Sequence, residues 1–234
     1  MDKINSIVWG PPGVGKTPFC GTLEAYEKTS PCLILDVDHG TLSLNTSPIP
    51  TVYTVNKFDD VSRIYSLLAK KDWAGLAKLT GTELKEYRSV VIDSGTELIS
   101  ILLHEIVSED DKNSGVPDQA SYFRSQLRFT TMWKAFRDLP MTCVMTAGDK
   151  DQKDDVSGVI RLFPEFSPGL LHELLRHTDL ILFMDVIPRK EEYTHYIRTQ
   201  PTNRFTARDR SGKLSAMIEG DKLYWGDLLK KVLS

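Results

Sequence analysis

The stretch Gly10-Pro11-Pro12-Gly13-Val14-Gly15-Lys16-Thr17, preceded by the short apolar run Ile7-Val8-Trp9, decides the fold. It meets the spacing G-x-x-x-x-G-K-[ST] at every fixed position. A polyphosphate needs several backbone N–H groups converging from a tight turn with few side chains. Gly10, Gly13 and Gly15 permit that turn, because glycine reaches backbone angles closed to other residues. In such a loop Lys16 holds the β- and γ-phosphates and the Thr17 hydroxyl ligates Mg²⁺, while Pro11, Pro12 and Val14 occupy its variable positions. A helix starting near Gly15 and running through Phe19 to Tyr26 turns its positive dipole end on the same anion. Pro18 falls in its first turn, where a missing N–H costs little.

Two further stretches extend this strand–loop–helix unit. Cys32-Leu33-Ile34-Leu35-Asp36-Val37-Asp38 is a nearly continuous apolar run ending in acids, as expected of a parallel strand buried on both faces. Ser89-Val90-Val91-Ile92-Asp93-Ser94 is a β-branched run closing on an acid and a small hydroxyl residue. Ligands of open α/β sheets bind at the carboxyl ends of the strands, so Asp36, Asp38 and Asp93 belong on the rim of the phosphate loop. Asp93 there holds the hydration shell of Mg²⁺ opposite Thr17.

Between these runs lie a strand, Thr51 to Val55, and a helix, Asp59 to Lys70, whose Val61, Ile64, Tyr65 and Leu68 share a face. Asn56-Lys57-Phe58-Asp59 matches N-K-x-D, the guanine-reading motif of GTPases. It stands before the second acidic strand rather than after it, no D-x-x-G accompanies it, and the guanine reading is rejected. Further on come a helix, Thr96 to Val107, a polar loop, Ser108 to Asp118, and a long helix, Gln119 to Leu139, with Tyr122, Leu127, Trp133, Phe136 and Leu139 as candidate core. The strand Met141 to Thr146 follows, then a long connection from Gly148 to Pro168. The chain continues with a helix, Leu170 to His177, a strand, Leu180 to Val186, and an exposed antiparallel strand, Tyr193 to Thr199. A basic segment carries Arg189, Lys190, Arg198, Arg204, Arg208, Arg210 and Lys213 against Glu191, Glu192 and Asp209, and a small amphipathic helix lies in Asp221 to Leu233.

The 234 residues suit one α/β domain, 1–234, with a core to about 187 and a hairpin-and-helix extension from about 188. Lys and Arg number 29 against 32 Asp and Glu, a formal charge of −3, which excludes nucleic-acid binding through global basicity. The three cysteines, Cys20, Cys32 and Cys143, show no zinc spacing; two of them border or lie in expected strands and read as buried small hydrophobes, and a reducing compartment fits. The amino terminus runs straight into the first strand and no apolar run is long enough to span a bilayer. The expectation is a soluble cytoplasmic protein without a membrane partner.

Taken in order, the phosphate loop, the strand ending Asp36-Val37-Asp38-His39, the strand ending Ile92-Asp93-Ser94 and the strand ending Thr146 resemble the RecA-type ATPase core. With Asp36-Val37-Asp38-His39-Gly40-Thr41, Phe166-Ser167-Pro168-Gly169 and Ala207-Arg208-Asp209-Arg210-Ser211-Gly212, most of the chain is similar to the small phage-encoded RecA-like nucleotide-binding proteins of single-strand annealing and recombination. The resemblance implies a mainly parallel RecA-like P-loop sheet flanked by helices, with a small antiparallel C-terminal extension. It implies ATP and Mg²⁺ as ligands and ATP hydrolysis as the activity. It makes Asp38 the acid that activates water, where RecA has glutamate, and Thr146 the γ-phosphate sensor, where RecA has glutamine.

The resemblance also makes Arg208 and Arg210 cations reaching the phosphates of a neighbouring copy, hence a homo-oligomer; the other reading of these arginines is a solvated basic hairpin. Because the first strand starts by Ser6, that oligomer is expected to form without RecA's amino-terminal bridging segment. The implied partners are single-stranded DNA and a single-stranded-DNA-binding protein, in the cytoplasm of a host cell for a phage-encoded chain. The loops Ser108–Asp118 and Gly148–Pro168 stand where RecA binds DNA. They carry Glu109, Asp110, Asp111, Asp149, Asp151, Asp154 and Asp155 against Lys112, Lys150, Lys153 and Arg161. DNA is thus implied by resemblance and not by charge. The rival readings are a P-loop small-molecule kinase, for which residues 148–168 offer only Arg161 as a lid arginine, and a nucleotide-gated adaptor with little turnover.

Overall fold

The computed structural model describes residues 3–44, 46–109, 115–153, 158–189 and 192–234. Asp110, Asp111, Lys112, Asp154, Asp155, Lys190 and Glu191 lie outside them. The strands are β1 (Asn5–Trp9), β2 (Cys32–Asp36), β3 (Thr51–Thr54), β4 (Ser89–Asp93), β5 (Thr142–Ala147), β6 (Asp149–Lys153), β7 (Ile160–Pro164), β8 (Leu180–Arg189), β9 (Glu192–Arg198), β10 (Arg208–Asp209) and β11 (Met217–Gly220). The helices are α1 (Lys16–Gly21), α2 (Phe58–Lys70), α3 (Trp73–Thr80), α4 (Gly95–Glu109), α5 (Gln119–Asp138), α6 (Pro168–Arg176) and α7 (Trp225–Leu233).

A nine-stranded sheet runs in the order β11-β9-β8-β1-β5-β4-β2-β3, with β10 added antiparallel to the start of β8. From β3 to β8 every pairing is parallel, whereas β9 and β11 join antiparallel. The reason lies in composition. All five residues of β1, β2 and β4 are buried, as strands covered by helices on both faces must be. One face meets α2, α4, α5 and α6 through Trp133, Phe129, Phe136, Leu102 and Ile64. The other meets α1 and α7 through Phe19, Leu23, Trp225 and Leu229, with the rings of Phe19 and Trp225 stacked at 5.0 Å.

Local chemistry sets the element boundaries. The backbone N–H groups of Asn56 and Lys57 both donate to the Asp60 carboxylate at 3.0 Å, so the backbone of Asn56 and Lys57 is part of the cap of α2. Asp118 caps α5 by accepting from the Ser121 N–H at 2.7 Å. At the other end of α5 the Lys3 ammonium donates to the carbonyls of Arg137 and Leu139. Helix α3 has no counterpart in the sequence reading, because its eight residues include Gly75 and bury only Leu76.

Five sequence expectations are corrected. The connection 148–168 is not structureless: β6 and β7 pair in a hairpin from Asp149↔Pro164 to Lys153↔Ile160. Helix α4 continues to Glu109, into the segment read as loop. Tyr122 and Leu127 are 49% and 58% exposed, because the core seam of α5 passes instead through Ser121, Ser125, Phe129 and Met132. Strand β9 is interior, between β8 and β11, and buries Tyr196 and Ile197. The α-helix after the phosphate loop is also shorter than expected, giving way at Thr22–Ala25 to a 3₁₀ turn. Among the described residues no helix is long and apolar enough to cross a membrane.

The cysteines are free and buried, and burial pushes the thiols of Cys32 and Cys143 up to about 12. A thiol-specific chromogenic reagent at pH 8 should therefore find no reactive cysteine in the native chain and all three after denaturation. Trp133 is fully buried and donates its indole N–H to Thr178 at 3.2 Å. Trp133→Ala should cost about 3–5 kcal/mol in urea unfolding, whereas Phe123→Ser, at a 68% exposed position, should cost under about 0.5 kcal/mol.

Candidate phosphate-binding site

The parallel register carries β1, β2, β4 and β5 to one edge, and the loops leaving them surround a cleft of about 750 Å³. Its walls are Pro12, Gly13, Gly15, Lys16, Thr17 and Pro18 from the phosphate loop, Val37, Asp38, His39 and Ser43 after β2, Asp93, Ser94, Thr96 and Glu97 after β4, and Gly148 and Glu165 from the feet of the β6–β7 hairpin. The loop is shaped by its glycines. Gly10 sits at φ 152° against β8, where a Cβ would stand 2.0 Å from the Met184 carbonyl oxygen. Gly15, at φ 93°, begins α1 in the left-handed region. Lys16 folds back onto its own loop, donating to the carbonyls of Gly10 at 2.7 Å and Pro11 at 2.8 Å. Burial lowers the Lys16 ammonium from its usual pKa, and Asp93, Asp149 and Asp38 oppose that shift.

Opposite the lysine, Asp93 is nearly fully buried. The Thr17 hydroxyl donates to one of its carboxylate oxygens at 2.6 Å, and the Thr146 hydroxyl donates to the other. Burial raises the Asp93 pKa, and the two hydroxyls pull it back. A serine hydroxyl sets the remaining acid: Ser94 donates to Asp38 at 2.8 Å and accepts from the Glu97 N–H at 3.3 Å. Asp36, by contrast, is buried and accepts from the Gly40 N–H at 3.1 Å, so it shapes the turn after β2 and does not line the cleft.

The structure thus brings together Gly13, Gly15, Lys16, Thr17, Asp38 and Asp93. Thr146 is placed otherwise than expected: it is fully buried behind Asp93 and its hydroxyl is committed there, away from the cleft surface. Arg208 and Arg210 do not reach the cleft of their own chain. They flank the amino end of β8, the opposite edge of the sheet. Arg208 donates to the Leu175 carbonyl at 2.7 Å, and Arg210 pairs with Asp179 at 2.9 Å and donates to the Arg176 carbonyl. Sequence reasoning missed Thr96, which accepts from the Gly148 N–H at 3.0 Å, and Glu165. Neither belongs to a local motif. Ser94 carried a signal, its place directly after the acid of β4.

The donor set fits a magnesium–polyphosphate ligand. A hydroxyl and a carboxylate in mutual contact are hard oxygen donors, and they face an ammonium across a glycine-lined concavity.

A largely parallel sheet with this loop after β1 and acids on the neighbouring rims defines a P-loop fold of the RecA type. The chain belongs to the AAA domain family, whose model matches residues 2–211. Comparison with curated proteins gave no match. Among solved structures the chain is similar to the RadB recombinase, at 14% identity and TM-score 0.51 over 92% of this chain and 86% of that one, a likeness of fold alone. A KaiC-like protein from Pyrococcus horikoshii matches at 12% identity and TM-score 0.44, covering 92% and 83%. The flagellar accessory protein FlaH from Methanocaldococcus jannaschii matches at 9% and 0.45, covering 92% and 84%.

Because burial disfavours the charged carboxylate, Asp93→Asn should melt at or above the wild-type temperature at neutral pH while losing Mg²⁺-dependent nucleotide binding. A melting temperature several degrees lower would mean that the two hydroxyl bonds to the carboxylate outweigh its desolvation.

Proposed function

We propose that the chain is an ATPase that binds ATP with Mg²⁺, hydrolyses it, and acts on single-stranded DNA in recombination or annealing of the phage type. The observation that carries the hydrolytic part is the convergence of Lys16, Thr17, Asp93 and the Ser94-held Asp38 on one cleft. Lys16 leaves the Gly10 and Pro11 carbonyls for the terminal phosphates. Thr17 and Asp93 would hold Mg²⁺, whose charge would then stand beside the phosphate oxygens. Asp38 accepts a hydrogen bond from water and aims it at the γ-phosphorus. The new bond forms from the water oxygen as the bond to the β–γ bridging oxygen breaks, and the water proton passes to Asp38 or to the departing phosphate.

Support for an action on DNA comes from the hairpin, whose feet line the cleft. Glu165 donates its N–H to the Gly148 carbonyl at 3.0 Å, closing the hairpin base. On its far side β7 joins the segment after β9: the Leu162 N–H donates to the Arg204 carbonyl at 2.6 Å and the Thr206 N–H to the Leu162 carbonyl at 3.3 Å. Arg198 and Arg204 both lie over the Phe205 ring, at 5.1 and 5.7 Å. The Phe205 ring is half-buried and stacked on Phe183 at 4.5 Å, so what this side of the hairpin offers an unpaired strand is arginine charge for its phosphates, and the hairpin links that charge to the cleft. Arg208 and Arg210 act, on this reading, only on the cleft of a second copy after giving up their present partners, so the working form is a homo-oligomer. A single-stranded-DNA-binding protein is the companion this activity calls for.

Lys16→Ala should lower kcat by about 10²–10³-fold without changing the circular dichroism spectrum. Wild-type hydrolysis measured with and without oligodeoxythymidine should rise with the strand present. Absence of nucleotide binding by the wild-type chain would sink the reading, and hydrolysis indifferent to the strand would sink its DNA part.

A further inference from the structure

A second cavity, of about 470 Å³, adjoins the phosphate cleft and shares Gly15 and Pro18 with it. Its apolar wall includes Phe19, Met184 and Leu223, with Tyr224 at its edge 43% exposed, and its polar wall includes Thr46 and His195. The Thr46 hydroxyl is buried without a hydrogen-bond partner among the described residues. A mixed apolar and polar cavity opening where α1 leaves the phosphate loop suits a heteroaromatic group carried by the phosphates.

His195 joins the cavity to the loop. It sits on β9 between Gly220 of β11, which has no side chain, and Val186 of β8, and on the same face as Ile197, toward α1 and α7. Its Nδ1 stands 3.0 Å from the Val14 carbonyl oxygen. A carbonyl only accepts, so Nδ1 carries the hydrogen, and in the Nδ1–H tautomer Nε2 is an acceptor. Nε2 has no partner among the described residues. The ring also packs on the turn into α1: a Cβ at Gly15 would lie 3.4 Å from His195 Cε1.

Resting on the reading of the chain as a nucleotide-binding protein, we infer that His195 is a two-sided positioning residue. Nδ1 fixes the phosphate loop through Val14, and Nε2 accepts a hydrogen bond from the nucleoside seated in the second cavity, from a ribose hydroxyl or an exocyclic amine. The antiparallel extension thereby takes part in nucleotide recognition within its own chain.

The two halves separate in one set of binding measurements. Asparagine places its amide NH₂ near the position of Nδ1 and has nothing at Nε2, whereas alanine removes both. His195→Asn should bind inorganic tripolyphosphate within about twofold of wild type and ATP about tenfold more weakly, the worth of one hydrogen bond. His195→Ala should weaken both ligands. In the wild type, either 2′,3′-dideoxy-ATP or inosine triphosphate should bind about tenfold more weakly than ATP, and His195→Asn should add no further loss for that analogue; this identifies the donor. Circular dichroism melting confirms that each variant is folded. Wild-type ATP affinity in His195→Asn, equal losses for ATP and tripolyphosphate in that variant, or undiminished affinity of the wild type for both analogues would overturn the inference. Failure of the wild type to bind either ATP or tripolyphosphate would overturn the nucleotide reading itself.

Discussion

One carboxylate ties the rims of the sheet together. Asp93 is taken out of water at the end of β4, and two hydroxyls from different elements, Thr17 at the start of α1 and Thr146 in β5, stand in for the lost hydration. A buried carboxylate is costly unless hydrogen-bonded, so the register of β1, β4 and β5 and the placement of α1 are coupled to one another through this group. The parallel arrangement makes the coupling possible. It carries the carboxyl ends of adjacent strands to one side, where each following loop delivers a different function: glycine backbone, lysine, serine-held acid and the foot of a hairpin.

Around this centre the chain adds two attachments with distinct physical bases. The β6–β7 hairpin is anchored at its feet by Gly148 and Glu165 and along its outer strand by residues 204–206, so it is braced at the cleft and at the extension. The extension consists of antiparallel strands laid on β8, with α7 folded back so that Trp225 stacks on Phe19 and the Trp225 backbone N–H donates to the Thr22 hydroxyl at 2.9 Å. A segment 203 residues away thus stiffens the turn that follows the phosphate loop. His195 repeats the device one layer higher, at the Val14 carbonyl.

Gly10 to Thr17 could be read directly because a phosphate loop is a local object: its turn, its lysine and its hydroxyl are set by eight consecutive residues. Strands β1, β2, β4 and β5 were legible for a related reason. Burial on both faces demands unbroken apolar runs, and the acids closing two of them announced the rim. The N-K-F-D residues lie at a helix start, where the next residue, Asp60, accepts from the Asn56 and Lys57 N–H groups. Where the pattern depends on partners, legibility failed. Tyr122 and Leu127 are helix positions like Phe129 and Phe136, and only the packing of α5 on its neighbours decides which face is covered. Tyr193 to Thr199 alternates as an edge strand would, yet β11, paired from twenty residues further on, makes it interior.

The sequence by itself determined that a strand, a glycine turn and a helix cradle phosphate, and that acids stand on parallel strands beside it. Tertiary structure alone decided the companions. Thr146 serves Asp93, Ser94 orients Asp38, Glu165 returns to the cleft across a hairpin, Arg208 and Arg210 are held at the far edge of the sheet, and His195 meets Val14 across 181 positions of chain. The physical reason is range. Backbone turn chemistry and hydrophobic period act over a few residues and leave their mark in consecutive letters. Hydrogen bonds between distant side chains leave none until the sheet has set their distance.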